Sequence, residues 1–376
     1  MTLYSVAVSW LSTYCSHQNT GVYFMPWASE SDFVKRFLST TLLGGFLLLL
    51  SSPAVIHAQD FSIPETISPE AQTALAGFSR AAATAPLPAA DDLEGWKAVQ
   101  QKIEQKRAAA NAEVVKKYQP EITPRKLGGV PVLDIKPKGW QESGKVLVYT
   151  HGGAYTMYSA RSRLMSAVPM AGETGFRVIS VDYTLAPIGK WQEVTDQVVT
   201  VIQTLIKEGH SLKEIAIYGE SAGGGLAAGT VLKLRDKGLG MPAAVVLWSP
   251  WADITETGDT YTTLQQADPL LYYPKNLKHC ADAYADPADQ KHPYVSPVYG
   301  DYSKGFPPTL IQAGTKEIFM SNAIRQYQAI DKAGIPVKLD LYEGMWHIFQ
   351  VFNYELPESK LARSKVKAFL QQHVGK

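Results

Sequence analysis

Cysteine is nearly absent from this 376-residue chain, which holds only Cys15 and Cys280. A disulfide-stapled scaffold is therefore excluded, and stability must come from an ordinary core. Excess charge of either sign is also missing: 36 Lys and Arg stand against 35 Asp and Glu, a formal net charge of +1. Such balance gives no electrostatic basis for nucleic-acid binding, so the expected partner is a small, mostly uncharged molecule. Metal and nucleotide signatures are lacking too. There is no H-E-x-x-H or paired-histidine spacing, and Asp282, Asp286 and Asp289 do not fit a calcium loop. No G-x-x-x-x-G-K-[ST] occurs, and Gly223, Gly225 and Gly229 miss the dinucleotide spacing. Neither a cofactor nor a metal is expected.

A long membrane-spanning run is missing as well. The apolar stretch Phe37–Leu50, "FLSTTLLGGFLLLL", is short against the roughly 20 residues a span requires. Lys35 and Arg36 precede it and "SSPAVIHAQD" follows, the pattern of a secretory signal peptide. Cleavage is expected after Ala58, with Met25 a candidate for the true start. A secreted or periplasmic protein follows, with no stable span and no cysteine at the cleavage point to carry lipid. Cys280 would then be unpaired, and with no adjacent base it is expected to be structural.

What the sequence does have is a series of β-prone runs: "KVLVYT", "RVISVDY", "EIAIYG", "AAVVLW", "PTLIQAG" and "VKLDLY". Helical stretches separate several of them; in "WQEVTDQVVTVIQTLIKEG", Trp191, Val194, Val198, Val201, Ile202 and Leu205 line one face. Strands almost continuous in Val, Ile and Leu, alternating with helices, indicate an α/β fold with a parallel sheet buried on both faces. Residues 126–376 are expected to form this domain. Residues 59–125 form an N-terminal helical cap segment, in which Leu93, Trp96, Val99 and Ile103 recur at helical spacing. A segment at about 255–305, dense in Asp, Tyr and Pro, interrupts the rhythm as a cap insertion.

The chemistry concentrates in three places. Gly219-Glu220-Ser221-Ala222-Gly223 is a G-x-S-x-G pattern between the strand "EIAIY" and a small-residue helix. That context is a nucleophile elbow, a turn sharp enough to expose the hydroxyl of Ser221 at the top of the sheet. "YTHGGAY", just after the strand "KVLVYT", offers backbone N–H groups for a developing oxyanion. Gly153, Ala154 and Ala222 are the expected donors, with Gly152 shaping the turn. Should Ala154 take φ > 0, its methyl would cost about 1–2 kcal/mol. The general base must lie late in the chain, and His347 in "LYEGMWHIFQ" follows the last expected strand. His210 falls on the opposite edge, His279 and His292 in the cap insertion, and His151 within the donor loop. Glu317, after the penultimate strand, is the expected acid that orients the imidazole. Of the competing carboxylates, Asp253 follows an earlier strand, while Asp268, Asp286 and Asp289 read as solvated cap.

With these residues assembled, the chain resembles the hormone-sensitive-lipase-like branch of the α/β-hydrolases, close to bacterial acetyl-ester and lactone hydrolases. The resemblance covers about Gly129 to Lys376. It is carried by His-Gly-Gly at 151–153, "VDYTLAP" at 181–187, "GESAGG" at 219–224, "SPWAD" at 249–253 and "GMWHIFQ" at 344–350. It implies an α/β-hydrolase fold with a mostly parallel central sheet of about eight strands and a helical cap drawn partly from the helix Leu93 to Tyr118. It also implies the triad Ser221, Glu317 and His347. Three departures stand out: Ala154 replaces a glycine, Thr184 and Ile188 replace Arg and Glu, and Ser321 and Asn322 replace acidic residues. The expected activity is hydrolysis of short-chain esters or lactones by a monomer or homodimer. Tyr155, Tyr158, Trp248, Trp251, Tyr261, Tyr272 and Tyr273 are candidates to line the pocket or to pack the cap. The competing expectations are a non-catalytic small-molecule-binding protein on the same scaffold, or a peptidase.

Overall fold

The computed structural model describes residues 61–376. The expected signal segment, its cleavage after Ala58 and Cys15 lie outside the described residues.

Among the described residues, eight strands form one sheet: β1 (Glu121–Leu127), β2 (Val130–Lys136), β3 (Val146–Thr150), β4 (Arg177–Val181), β5 (Ile215–Glu220), β6 (Ala244–Trp248), β7 (Thr309–Lys316) and β8 (Val337–Trp346). Their order is β1-β2-β4-β3-β5-β6-β7-β8. The hairpin β1–β2 and the pair β2–β4 are antiparallel, and every pair from β4 to β8 is parallel. The six runs singled out by their β-branched content are β3 to β8. The polar edge strand β1 and its partner β2 lacked that signature, because β1 has one face in solvent.

Both faces of the sheet are covered, as continuous Val and Ile strands require. On one face, Val194, Val198, Ile202 and Leu205 of the helix Trp191–Lys207 join Leu226 and Val231 of Ala222–Asp236 and Ile330 of Met320–Asp331. On the other, Leu164 to Ala171 of the helix Leu164–Thr174 pack with Val366 and Leu370 of Pro357–His373. A third cluster joins Phe61, Ile67 and Leu75 to Tyr342, Trp346 and Phe349, so the first described residues brace the end of β8.

The helix Leu93–Tyr118 starts where Asp92 accepts from the N–H of Gly95 (2.9 Å) and stops at Gln119 in the left-handed region. Its buried residues are Trp96, Asn111 and Val114, while Leu93 is 47% exposed rather than part of the buried stripe. Among the described residues, no helix is long and apolar enough to cross a membrane.

Candidate active site

Parallel strands place their C-terminal ends on one edge, and the loops leaving that edge carry the candidate groups. Ser221 follows β5 directly, with φ 56° and ψ −125°, a backbone conformation a non-glycine residue adopts only under strain. The glycines around it are explained by close approach. A Cβ on Gly219 would strike the carbonyl of Gly223, and one on Gly223 would strike the carbonyl of Thr150 on β3. The helix Ala222–Asp236 can begin this close to the sheet only because those side chains are missing. Ser221 is held by its N–H on Trp248 O (2.9 Å) and by its carbonyl, which accepts from Trp251 (2.8 Å). It is 7% exposed.

The loop after β3 crosses beside it. Gly153 has φ 115°, and a Cβ there would strike the carbonyl of Met157 and the ring of Tyr158. Ala154 has φ 52°, so the strain anticipated for its methyl is present. Among the described residues, the N–H groups of Gly153, Ala154 and Ala222 have no acceptor within the protein. The N–H of Gly152 is different: it donates to Glu220 Oε1 (3.1 Å) and shapes the turn.

Glu220 was not singled out by the sequence, yet it is the hub behind this loop. Its buried carboxylate accepts from Tyr149 OH (2.6 Å), from Arg163 Nε (2.9 Å) and Nη2 (2.6 Å), and from Ser166 Oγ (3.2 Å). His151 stacks on Tyr183 (4.1 Å between centroids), whose hydroxyl donates to His151 O (2.8 Å). Burial pushes the His151 imidazole below its ordinary pKa, so it stays neutral within the loop wall.

Glu317 and His347 meet at the ends of β7 and β8. His347 Nδ1 lies 2.7 Å from Glu317 Oε2, and both residues are buried. Glu317 Oε1 accepts from Gly314 N (2.7 Å) and Ser249 Oγ (2.9 Å), and Ser249 Oγ accepts in turn from Ile348 N (3.0 Å). Ser249 therefore pins the acid and the histidine loop together. Among the described residues, no hydrogen bond joins Ser221 Oγ to His347. Free enzymes commonly hold this contact open until substrate binds. An aromatic chain leads to the histidine: Tyr284 stacks on Tyr155 (3.6 Å), then come Trp251 (5.9 Å), Phe319 (5.6 Å) and the His347 ring (5.1 Å).

The other histidines stand apart. His210 meets Gly144 O and Arg177, His279 meets Leu87 O, and His292 stacks on Trp191. Asp253 pairs with Arg325 (2.7 Å). Asp268, expected in solvent, is fully buried, because its carboxylate is enclosed by three backbone N–H groups. Trp248 packs with Tyr218 and Tyr149 in the core on the opposite face of the sheet. Tyr261 and Tyr273 are buried cap packing. Cys280 is free and buried, its thiol pushed up to about 12 by burial and accepting from Thr156 Oγ1 (3.4 Å).

Of the family departures, Thr184, Ser321 and Asn322 find polar partners, whereas Ala154 keeps its strain. Thr184 exchanges hydrogen bonds with Gln197 (2.8 and 2.7 Å), while Ile188 is 67% exposed. Ser321 donates to Asp259 (2.8 Å), and Asn322 Oδ1 accepts from Asp253 N (2.6 Å), tying the start of the cap insertion to the helix after Glu317. Among the described residues, no three His, Cys, Asp or Glu side chains converge as metal ligands.

Comparison with known proteins agrees with this architecture. A family model described as alpha/beta hydrolase fold matches residues 147–351. An esterase of Acinetobacter venetianus is 34% identical, over 66% of this chain and 81% of its own length. An acetyl-hydrolase of Streptomyces hygroscopicus is 32% identical, over 66% of this chain and 85% of its own. The crystal structure of an esterase E25 superposes with a TM-score of 0.78 at 30% identity, covering 83% of this chain and 96% of that one. An esterase from the bacterial hormone-sensitive lipase family superposes at 0.66 with 29% identity, covering 74% and 98%. The chain belongs to the α/β-hydrolase family, in its hormone-sensitive-lipase-like branch, and is a hydrolase of carboxylic esters.

Proposed function

We propose that this esterase cleaves short-chain acyl esters, and compact lactones, through a covalent acyl-enzyme on Ser221. His347 Nε2 takes the proton of Ser221 Oγ as the oxygen attacks the ester carbonyl. Glu317 holds the imidazole with Nδ1–H turned towards it and stabilises the imidazolium. The N–H groups of Gly153, Ala154 and Ala222 receive the oxyanion of the tetrahedral intermediate. The imidazolium then gives its proton to the leaving alkoxide, which departs as the alcohol. A water, deprotonated by the same imidazole, attacks the acyl carbon and frees the carboxylic acid and Ser221.

The observation that carries this proposal is the buried 2.7 Å pair of His347 and Glu317, on the sheet edge from which Ser221 projects on a strained turn. Small acyl groups are favoured because Ser221 and His347 are buried and the Phe319 ring lies 5.1 Å from the His347 ring, leaving little room for a long chain. The similar Streptomyces protein is itself named an acetyl-hydrolase. Ser221→Ala is expected to keep the fold and lose p-nitrophenyl acetate hydrolysis. Equal turnover in variant and wild type would overturn the assignment. In a series from acetyl to palmitoyl esters, kcat/KM is expected to fall with length; a preference for the longest chain would refute the substrate class.

A further inference from the structure

Asp268 belongs to the cap insertion, yet it is built into the underside of the catalytic turn. Oδ1 accepts from the N–H groups of Leu270 (2.8 Å) and Leu271 (2.9 Å), closing a local turn. Oδ2 reaches 50 residues along the chain to the N–H of Ile318 (2.8 Å), the residue after Glu317. Thr260 Oγ1, also in the insertion, donates to Ile318 O (2.6 Å), so both backbone polar groups of Ile318 are held from this segment. Two oxygens each accepting from backbone N–H groups require a carboxylate, since an amide would turn a donor towards one of them. A turn alone would need only one such oxygen.

The remaining charged neighbours are few. Asp268 Oδ2 holds the N–H of Ile318, next in the chain to Glu317, whose Oε2 lies 2.7 Å from His347 Nδ1, and from there a positive imidazole favours the Asp268 carboxylate form. His347 itself also meets Glu317 and the edge of the Phe319 ring. Arg80, on the preceding short helix, donates to the main-chain oxygens of Gln265 (2.8 Å), Gln266 and Asp268 (3.5 Å) and lies over Phe61. Lys316, at the end of β7, turns to Ser62 (2.9 Å). Burial pushes the Asp268 carboxyl up to about 6.

We propose that Asp268 is a second carboxylate acting on the catalytic histidine, a positioning residue that fixes the Glu317 turn to the cap and stabilises the imidazolium through space. The inference rests on His347 being the base. It adds a coupling that the triad lacks: the segment 255–305, through Asp268, also sets the charge felt by the imidazole. No covalent step is assigned to Asp268.

The test compares kcat and KM for p-nitrophenyl acetate from pH 5 to 9 in the wild-type chain, Asp268→Asn and Asp268→Glu. Asp268→Asn is expected to lower kcat about tenfold with little change in KM. The midpoint of its acidic limb should move down by about 0.5–1 pH unit, because a negative charge that favoured the imidazolium is gone. Asp268→Glu, which keeps the charge, should retain the wild-type midpoint. A structural clamp alone would reduce activity without moving the midpoint, and that outcome overturns the proposal. If Asp268→Asn does not fold, the smaller Asp268→Ser gives the same comparison. Ser221→Ala run alongside separates the two failures: an inactive Ser221→Ala with an unmoved Asp268→Asn midpoint refutes only this inference, whereas an active Ser221→Ala refutes the triad beneath it.

Discussion

Two buried carboxylate sites flank Ser221, and they are built in opposite ways. Behind the nucleophile, Glu220 is met by the guanidinium of Arg163 and by Tyr149, Ser166 and the Gly152 N–H. Its charge is neutralised in place, so it works as a fixed post on which the loop after β3 is hung. In front, Glu317 is met by an imidazole, one hydroxyl and one backbone N–H, with Asp268 below it held by backbone N–H groups. There the negative charge is turned towards the imidazole of His347, which in the proposed mechanism takes up and releases the proton. The same chemical group thus serves as scaffold where an arginine answers it and as an electrostatic element where a histidine does.

Substitutions on the two sides should separate these roles. Glu317→Gln keeps the shape but loses the charge facing His347 Nδ1, and should lower kcat by about 10³–10⁴ without a comparable loss of stability. Esterase kinetics and a thermal melt on the same preparation check both halves. Glu220→Gln should do the reverse. It leaves Arg163 buried without its carboxylate, a loss of about 3–5 kcal/mol in chemical denaturation, with a smaller drop in activity per folded molecule. If Glu220→Gln matched Glu317→Gln in kcat and left stability unchanged, the contrast would fail.

Ser249→Ala removes the hydroxyl that donates to Glu317 and accepts from Ile348. An expected tenfold or so decrease in kcat, with about 1 kcal/mol of stability, places it between the two. Asp268 yields a pH-dependent test. Its folded pKa stands above the ordinary value of 3.8, so the unfolded chain releases this proton first as pH rises. Stability from this group is therefore full below about pH 4 and lost through about pH 6. Between pH 5 and pH 8 the stability gap between wild type and Asp268→Asn should shift in favour of the variant, by up to about 2 kcal/mol. A pH-independent gap would contradict the burial cost. The smallest effect is expected at Ala154, where Ala154→Gly relieves a left-handed backbone strain and should alter stability by no more than about 1 kcal/mol with activity retained.

Much of the candidate rim, as a set of positions at strand ends, was legible because chain order and strand ends restrict the choices. Ser221 follows a strand that its Val- and Ile-rich neighbours make a central one, and His347 and Glu317 follow the last two. The supports were illegible for a physical reason. Arg163 sits in an unremarkable loop-to-helix stretch, and nothing local shows that Glu220, 57 residues away, will be buried against it. Asp268 reads as a surface turn because Asp-Pro is common there; its burial depends on Ile318, 50 residues later. Trp248 illustrates a different limit. Its place at a strand end suggested the pocket, but the alternation of side chains along β6 sends it to the other face, with Tyr218. The bracing of Trp346 by Phe78 and Ile67 was equally hidden, since the early segment shows no periodicity that would name its partner.

The most direct measurement is mass-spectrometric mapping of the enzyme after reaction with a fluorophosphonate. One phosphonyl group per chain, on the peptide containing Ser221 and abolished in Ser221→Ala, is the expected result. Labelling of another residue, or no labelling of an enzyme that still hydrolyses p-nitrophenyl acetate, would contradict it.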